Sequence, residues 1–220
     1  MTGYAAPNYN LGSARATCRR ELDVAVSFPI DPARTAVLSM DCQAGIVSIY
    51  TKEAKDAFLL RAASVLNHAR ATGMTIVHVQ VGFRPGLPEV SLRNALFGAI
   101  KSSEQHQQLF REPFGSIPDA IAPHENEIVI TKHRISAFTG TDLAMILRAN
   151  DIDTLVLYGI ATSGVVLSTL LEAADSDYRL AVIADCCADL DSQLHDCLIQ
   201  RFFPTRGSVL SAEDFIAVSQ

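Results

Sequence analysis

Three short stretches of this chain carry residue types that could do chemistry. "MDCQ" (40–43) offers a carboxylate and an amide, Asp41 and Gln43. "TKHRISAFTGTDL" (131–143) offers an ammonium, Lys132, with Phe138 downstream. "GIATSGVV" (159–166) offers a glycine-containing turn through Ala161, Thr162, Ser163 and Gly164. A carboxylate beside an ammonium can move a proton and hold the charge that results. A turn that opens a helix can present backbone N–H groups to an anion or a developing oxyanion. Each stretch also has an ordinary structural reading. Asp41 is a good helix cap, Lys132 a solvated lysine, and Ser163 with Gly164 a cap and a tight turn.

Whether these groups meet depends on the elements that carry them. From Thr35 onward, short β-branched runs alternate with amphipathic segments, which predicts a parallel sheet wound with helices. Six strands are expected, at 35–40, 74–81, 127–131, 154–159, 179–184 and 207–211. The nearly continuous apolar character of the fourth and fifth fits strands covered on both faces. Segment 54–73 places Phe58, Leu59, Ala62, Leu66 and Ala69 at helical spacing and stops at Gly73. Further helices are expected at 141–149, 164–175 and 191–203. In such a sheet the residues just past the carboxyl ends of the strands converge on one crevice. The three stretches follow the first, third and fourth strands, so their side chains are expected to share it.

Two segments stand outside this rhythm. Residues 1–30 read as an irregular N-terminal arm ahead of a single domain at 31–220. The connection 82–123 is far longer than an ordinary loop, which suggests a binding loop or lid. Within it, Arg84 of "GFRPG" is a candidate anion clamp, because a guanidinium matches carboxylate geometry. A loop-stabilising role is an equal alternative.

Composition excludes several function classes. A net charge of -6 without a Lys/Arg run leaves no footprint for nucleic acid or an anionic membrane. No apolar run reaches the roughly 18 residues of a spanning helix, and the first residues lack the order of a signal peptide, so a cytoplasmic location is expected. Five cysteines without a C-x-x-C pair suit reduced thiols. Gly159 and Gly164 have P-loop spacing, but Val165 and Val166 stand where Lys and Ser/Thr should follow. The histidines show no ligand spacing, and no metal or other cofactor is expected.

Taken together, "VLSMDCQAGI", "ITKHRISAFTGTDL" and "LVLYGIATSGVVLSTLLEAADSDYRLAVIADCCAD" resemble the isochorismatase-like hydrolases, over about Thr35 to Ala217. The resemblance implies a three-layer α/β/α fold on a six-stranded, mostly parallel sheet. It also implies a cis peptide before Ala161, a homo-oligomer (dimer or tetramer) and a small-molecule substrate. Most members use an Asp-Lys-Cys triad, in which Asp41 and Lys132 match the first two positions. The nucleophile position falls on Val165, whose side chain cannot attack a carbonyl. The isochorismatases proper also lack the cysteine and cleave a vinyl ether by proton delivery and water. On that analogy Asp41 is the general acid, and Lys132 holds the substrate, expected to be anionic. Gln43 and Arg84 would orient the substrate, Phe138 would wall the pocket, and the turn Ala161–Gly164 would border it. A general acid beside Lys⁺ needs burial or a substrate charge to keep its proton. The alternative is a catalytically silent ligand-binding or regulatory protein on the same fold.

Overall fold

The computed structural model describes residues 28–219, so most of the expected N-terminal arm lies outside the described residues. Six strands form one sheet: β1 (Thr35–Met40), β2 (Thr75–Val81), β3 (Ile128–Lys132), β4 (Thr154–Ile160), β5 (Arg179–Ala188) and β6 (Ser208–Leu210). Their order is β3-β2-β1-β4-β5-β6, and every pairing is parallel. The order reverses between β1 and β4, which makes the crevice beyond their carboxyl ends the place for a ligand. All residues of β1 and β4 are buried. Successive strand side chains point to opposite faces, so both faces of the central sheet are covered and the architecture has three layers.

The helices are α1 (Ala44–Thr51), α2 (Lys55–Thr72), α3 (Ala95–Lys101), α4 (Glu104–Gln108), α5 (Leu143–Ala149), α6 (Leu167–Asp175), α7 (Ser192–Cys197) and α8 (Ala212–Val218). The expected helix at 54–73 is α2, and Gly73 ends it at φ 77, the left-handed conformation a helix stop favours. Phe58, Ala62, Leu66 and Ala69 are fully or nearly fully buried along its inner face. The expected start of the helix at 164 is instead a wide π-type turn over Thr162–Val166, which leads into α6. The last expected helix likewise divides into α7 and a π-type turn over Leu198–Phe202. Strand β5 runs past its expected end to Ala188, with a register shift between Leu157 and Gly159 on its partner β4.

The long connection is not a structureless loop. It contains α3, α4 and a small apolar cluster of Leu87, Val90 and Phe97, against which Phe83 and Ile100 pack. Asn94 caps α3 by accepting from the Phe97 amide, and Ser103 caps α4 by accepting from the His106 amide. The main core is one continuous cluster running through the sheet and its flanking helices.

Candidate active site

Asp41 immediately follows β1, and its backbone turns there into the left-handed region at φ 54. Its amide donates to the Val79 carbonyl of β2 at 2.7 Å, which keeps the turn tied to the sheet. Helix α1 starts at Ala44 with Gln43 in the capping position, so Asp41 is not a helix cap. Its carboxylate instead meets Lys132, the last residue of β3, with Oδ2 at 2.8 Å from Nζ. The pair is deeply buried, with 7% of the Asp41 side chain and 2% of the Lys132 side chain exposed. Lys132 Nζ also donates to the Arg134 carbonyl at 3.0 Å. Asp41 Oδ1 is buried and has no hydrogen-bond partner. Burial disfavours the charged carboxylate and Lys132 favours it; burial wins and raises the Asp41 pKa to about 6.

The turn after β4 forms the opposite wall. Gly159 lies at φ 146, and a Cβ there would come within 2.0 Å of the Met40 carbonyl oxygen, so only glycine lets β4 approach the end of β1 this closely. The Ile160–Ala161 peptide is cis, at the position the resemblance implies. Three amides of the turn are engaged within the protein. Ser163 donates to Asp189 Oδ2 at 2.7 Å, and Gly164 and Val166 donate to the Ala161 carbonyl at 3.1 and 3.3 Å. These three N–H groups are therefore not free for an anion. Thr162 is buried, with Oγ1 2.8 Å from His195 Nδ1.

A cavity of about 440 Å³ lies between these walls, within the range of small-molecule sites. Asp41, Lys132, Ala161, Gly164 and Val165 all line it. The long connection closes another side with Phe97, Ile100, Leu109 and Phe110, so it contributes to the pocket as its length suggested. Val165 is 2% exposed and presents only hydrocarbon.

Other expected site residues are placed elsewhere. Gln43 does not line the cavity, because its amide is fully committed to backbone. Its Nε2 donates to the Val81 and Gly115 carbonyls at 3.0 and 2.8 Å, and its Oε1 accepts from the Val81 amide at 2.8 Å. Arg84 is 65% exposed and lines a separate cavity of about 360 Å³, with its guanidinium 3.9 Å from Glu89. Arg84 does not line the Asp41–Lys132 cavity. Phe138 is buried against Tyr178, with ring centroids 6.2 Å apart, and is not part of the wall. Thr162 and Ser163 support the turn without lining the cavity.

Sequence reasoning missed Tyr50 and His106, which with Asp41 and Lys132 are the polar side chains of the lining. It also missed Asp189, which holds the turn. Burial opposes ionisation of Asp189, but hydrogen bonds from Ser163 and nearby amides outweigh it and lower its pKa. Asp189 lies in the "DCCAD" segment, so a signal was present; nothing in the order of residues marked Tyr50 or His106. Cys42 and Cys187 are buried thiols, and burial, the largest influence on each, pushes both up to about 12. Neither is a ready nucleophile. Among the described residues no group of His, Cys, Asp and Glu could hold a metal ion, and no helix is long and apolar enough to cross a membrane.

The isochorismatase domain model matches residues 35–214. The chain is 29% identical over 154 residues to a maleamate amidohydrolase of Pseudomonas putida, covering 70% of each chain. It is 30% identical over 199 residues to a ureidoacrylate amidohydrolase of Methylorubrum extorquens, covering 83% of this chain and 79% of that one. An isochorismatase family protein of Burkholderia thailandensis superimposes with a TM-score of 0.75 at 26% identity, covering 89% of this chain and 99% of that one. The shared fold agrees with the resemblance carried by the three strand-end motifs, and the two curated relatives are amidohydrolases. The chain belongs to the isochorismatase family.

Proposed function

We propose that this protein hydrolyses a small molecule with Asp41 and Lys132 as an acid–base pair and without a covalent enzyme intermediate. The observation that carries this reading is the buried Asp41–Lys132 pair at 2.8 Å, both members of which line a cavity also lined by Val165. Valine stands where most of the family has its thiol, and valine supplies no electron pair. Protonated Asp41 gives its proton to the enol carbon of a vinyl ether or to the leaving nitrogen of a C–N bond. Water adds its oxygen to the electrophilic carbon, and the proton it releases returns to the Asp41 carboxylate. The vinyl-ether route then breaks the C–O bond of the resulting hemiketal as its hydroxyl proton passes to the departing oxygen, and the C–N route breaks the bond to the protonated nitrogen. The net change is one water across the broken bond. Lys132 holds Oδ2 throughout and balances the carboxylate when it forms.

The sequence left a tension between a protonated acid and the adjacent Lys⁺, and assigned its relief to burial or to an anionic substrate. Burial raises Asp41 to about 6 against the opposing pull of Lys132, which is the direction a general acid needs. The test is product formation by purified protein from isochorismate and a panel of small amides, followed by mass spectrometry. Asp41→Asn is expected to lower turnover by about 10²–10⁴-fold, the range of a lost general acid. Iodoacetamide treatment is expected to leave turnover intact, and inactivation traced to a thiol in the pocket would remove the reading. Val165 also favours a second reading, a ligand-binding protein that has kept the pocket without the reaction. Saturable binding with no Asp41-dependent product would establish that reading instead.

A further inference from the structure

We propose that the second cavity, the one lined by Arg84, binds a small aromatic carboxylate. The inference is independent of the hydrolase reading, because neither Asp41 nor Lys132 lines this cavity. Its volume of about 360 Å³ is enough for a molecule of one or two fused rings. Among the described residues its lining holds two guanidiniums, Arg84 and Arg111, and no Asp or Glu. A concave site lined by one sign of charge draws in the opposite sign. Few of the N–H donors of either guanidinium are engaged. On Arg84, one faces His133 Nε2 at 3.4 Å, and Glu89 lies 3.9 Å away. His133 accepts at Nε2 because its Nδ1 is turned to the Gly82 carbonyl at 2.5 Å. On Arg111, one meets Glu104 Oε1 at 2.5 Å and another meets Gln107 Oε1 at 2.8 Å. Gln107 is itself fixed by donating to the Ile100 and Lys101 carbonyls at 3.4 and 3.1 Å. Both guanidiniums are thus oriented with donors to spare, and the planar fork of each matches a carboxylate.

The rest of the lining selects a flat, apolar body. Phe83 and Phe110 meet edge to face, with ring centroids 5.3 Å apart and planes at 87°. A ligand ring laid on this pair gains aromatic contacts beyond the area it buries. Buried Leu87 adds hydrocarbon and is no part of a loose loop. It packs with Val90 and Phe97, and Lys101 Nζ donates to the Leu87 and Val90 carbonyls at 2.7 and 3.0 Å. Of the residues around this cavity, Phe110 alone also lines the Asp41 cavity, so the two sites are separate spaces that share one ring. Both arginine side chains are largely exposed, at 65% and 49%, which makes their attraction for an anion sensitive to salt.

The test titrates the full chain with 2-naphthoate, its neutral counterpart 2-naphthamide, and acetate, and reads binding by calorimetry and ligand-observed NMR. The expected Kd of 2-naphthoate is about 1 mM or tighter at low salt. 2-Naphthamide is expected to bind about tenfold more weakly for want of charge, and acetate at least as much more weakly for want of a ring. Salt raised to about 0.5 M is expected to weaken 2-naphthoate and leave 2-naphthamide unchanged. Arg84→Gln is expected to weaken 2-naphthoate about fivefold or more. Glu104→Gln, which releases Arg111 from its carboxylate partner, is expected to strengthen it about twofold. Lys132→Met is expected to leave the affinity within about twofold, because Lys132 lines the other cavity. The inference is overturned by 2-naphthamide binding as tightly as 2-naphthoate, or by affinity unchanged in both Arg84→Gln and Glu104→Gln. Loss of binding in Lys132→Met overturns it as well, by placing the ligand at Asp41, and so does the absence of saturable binding up to about 10 mM. Salt-sensitive binding that needs Arg84 and not Lys132 upholds it, whether or not the protein turns over any compound of the hydrolase panel.

Discussion

Lys132 acts on Asp41 in one direction and burial in the other, and the balance sets when the acid holds its proton. With the Asp41 pKa at about 6, the protonated fraction falls as pH rises through that value. If Asp41 is the general acid, turnover is therefore expected to fall about tenfold per pH unit above the break. Lys132→Met removes the influence that lowers the pKa, so the break is expected to move upward in a kcat/KM profile, with reduced turnover. An unmoved break would assign it to another group. The same shift has a stability sign. The contribution of Asp41 is full below its unfolded value near 3.8 and is lost as pH rises through about 6. Asp41 could be picked out in the sequence as a residue at a strand end, but its state of protonation could not, because that depends on exclusion of water by distant side chains.

At the scale of elements, Gln43 locks the start of α1 to the end of β2 and to the Gly115 segment of the long connection. Its three hydrogen bonds are made to backbone groups that have no ready replacement partner. Gln43→Ala leaves these groups unpaired, and a loss of about 3 kcal/mol in urea unfolding is expected. A loss under about 1 kcal/mol would show that water takes over the contacts. The strands were largely legible because an apolar β-branched run has few other uses. Helix α2 was legible from its 3.6-residue spacing and its terminal glycine. Helices α3 and α4 were not, because each spans only one or two turns and their apolar residues pack on a local cluster rather than on the sheet. The role of Gln43 was misread for a related reason. A glutamine beside a candidate acid suggests a ligand contact, yet its amide faces a strand end and a loop remote in sequence.

At the scale of the whole molecule, a partly buried ionic group ties α2 to β2 and the entry of β3. Glu127 receives Arg70 at 2.7 Å and meets His78 at 2.8 Å, away from the Asp41 cavity. Burial works against ionisation of Glu127, but hydrogen bonds from Arg70, the His124 amide and His78 outweigh it and bring the pKa down to about 2. This contribution to stability is present above the unfolded value near 4.5 and is lost as pH falls toward about 2. His78, its pKa lowered chiefly by burial, adds a loss of the same sign as pH falls below its usual 6.5. Glu127→Gln is expected to lower the melting temperature at pH 7 and to flatten its decline at acid pH. An equally steep decline in the variant would place the acid limit in other carboxylates. The order of residues alone determined the family, the alternation of strands and helices, and the strand ends that bear Asp41, Lys132 and Val165, because these follow from local periodicity and short motifs. Only the tertiary structure decided that Asp41 and Lys132 pair where little of either side chain is exposed, that Gln43 and Arg84 stand apart from the cavity, and that the cavity walls are mostly apolar. Those properties belong to contacts between segments far apart in the chain, where burial and partner geometry arise only after the sheet has closed around them.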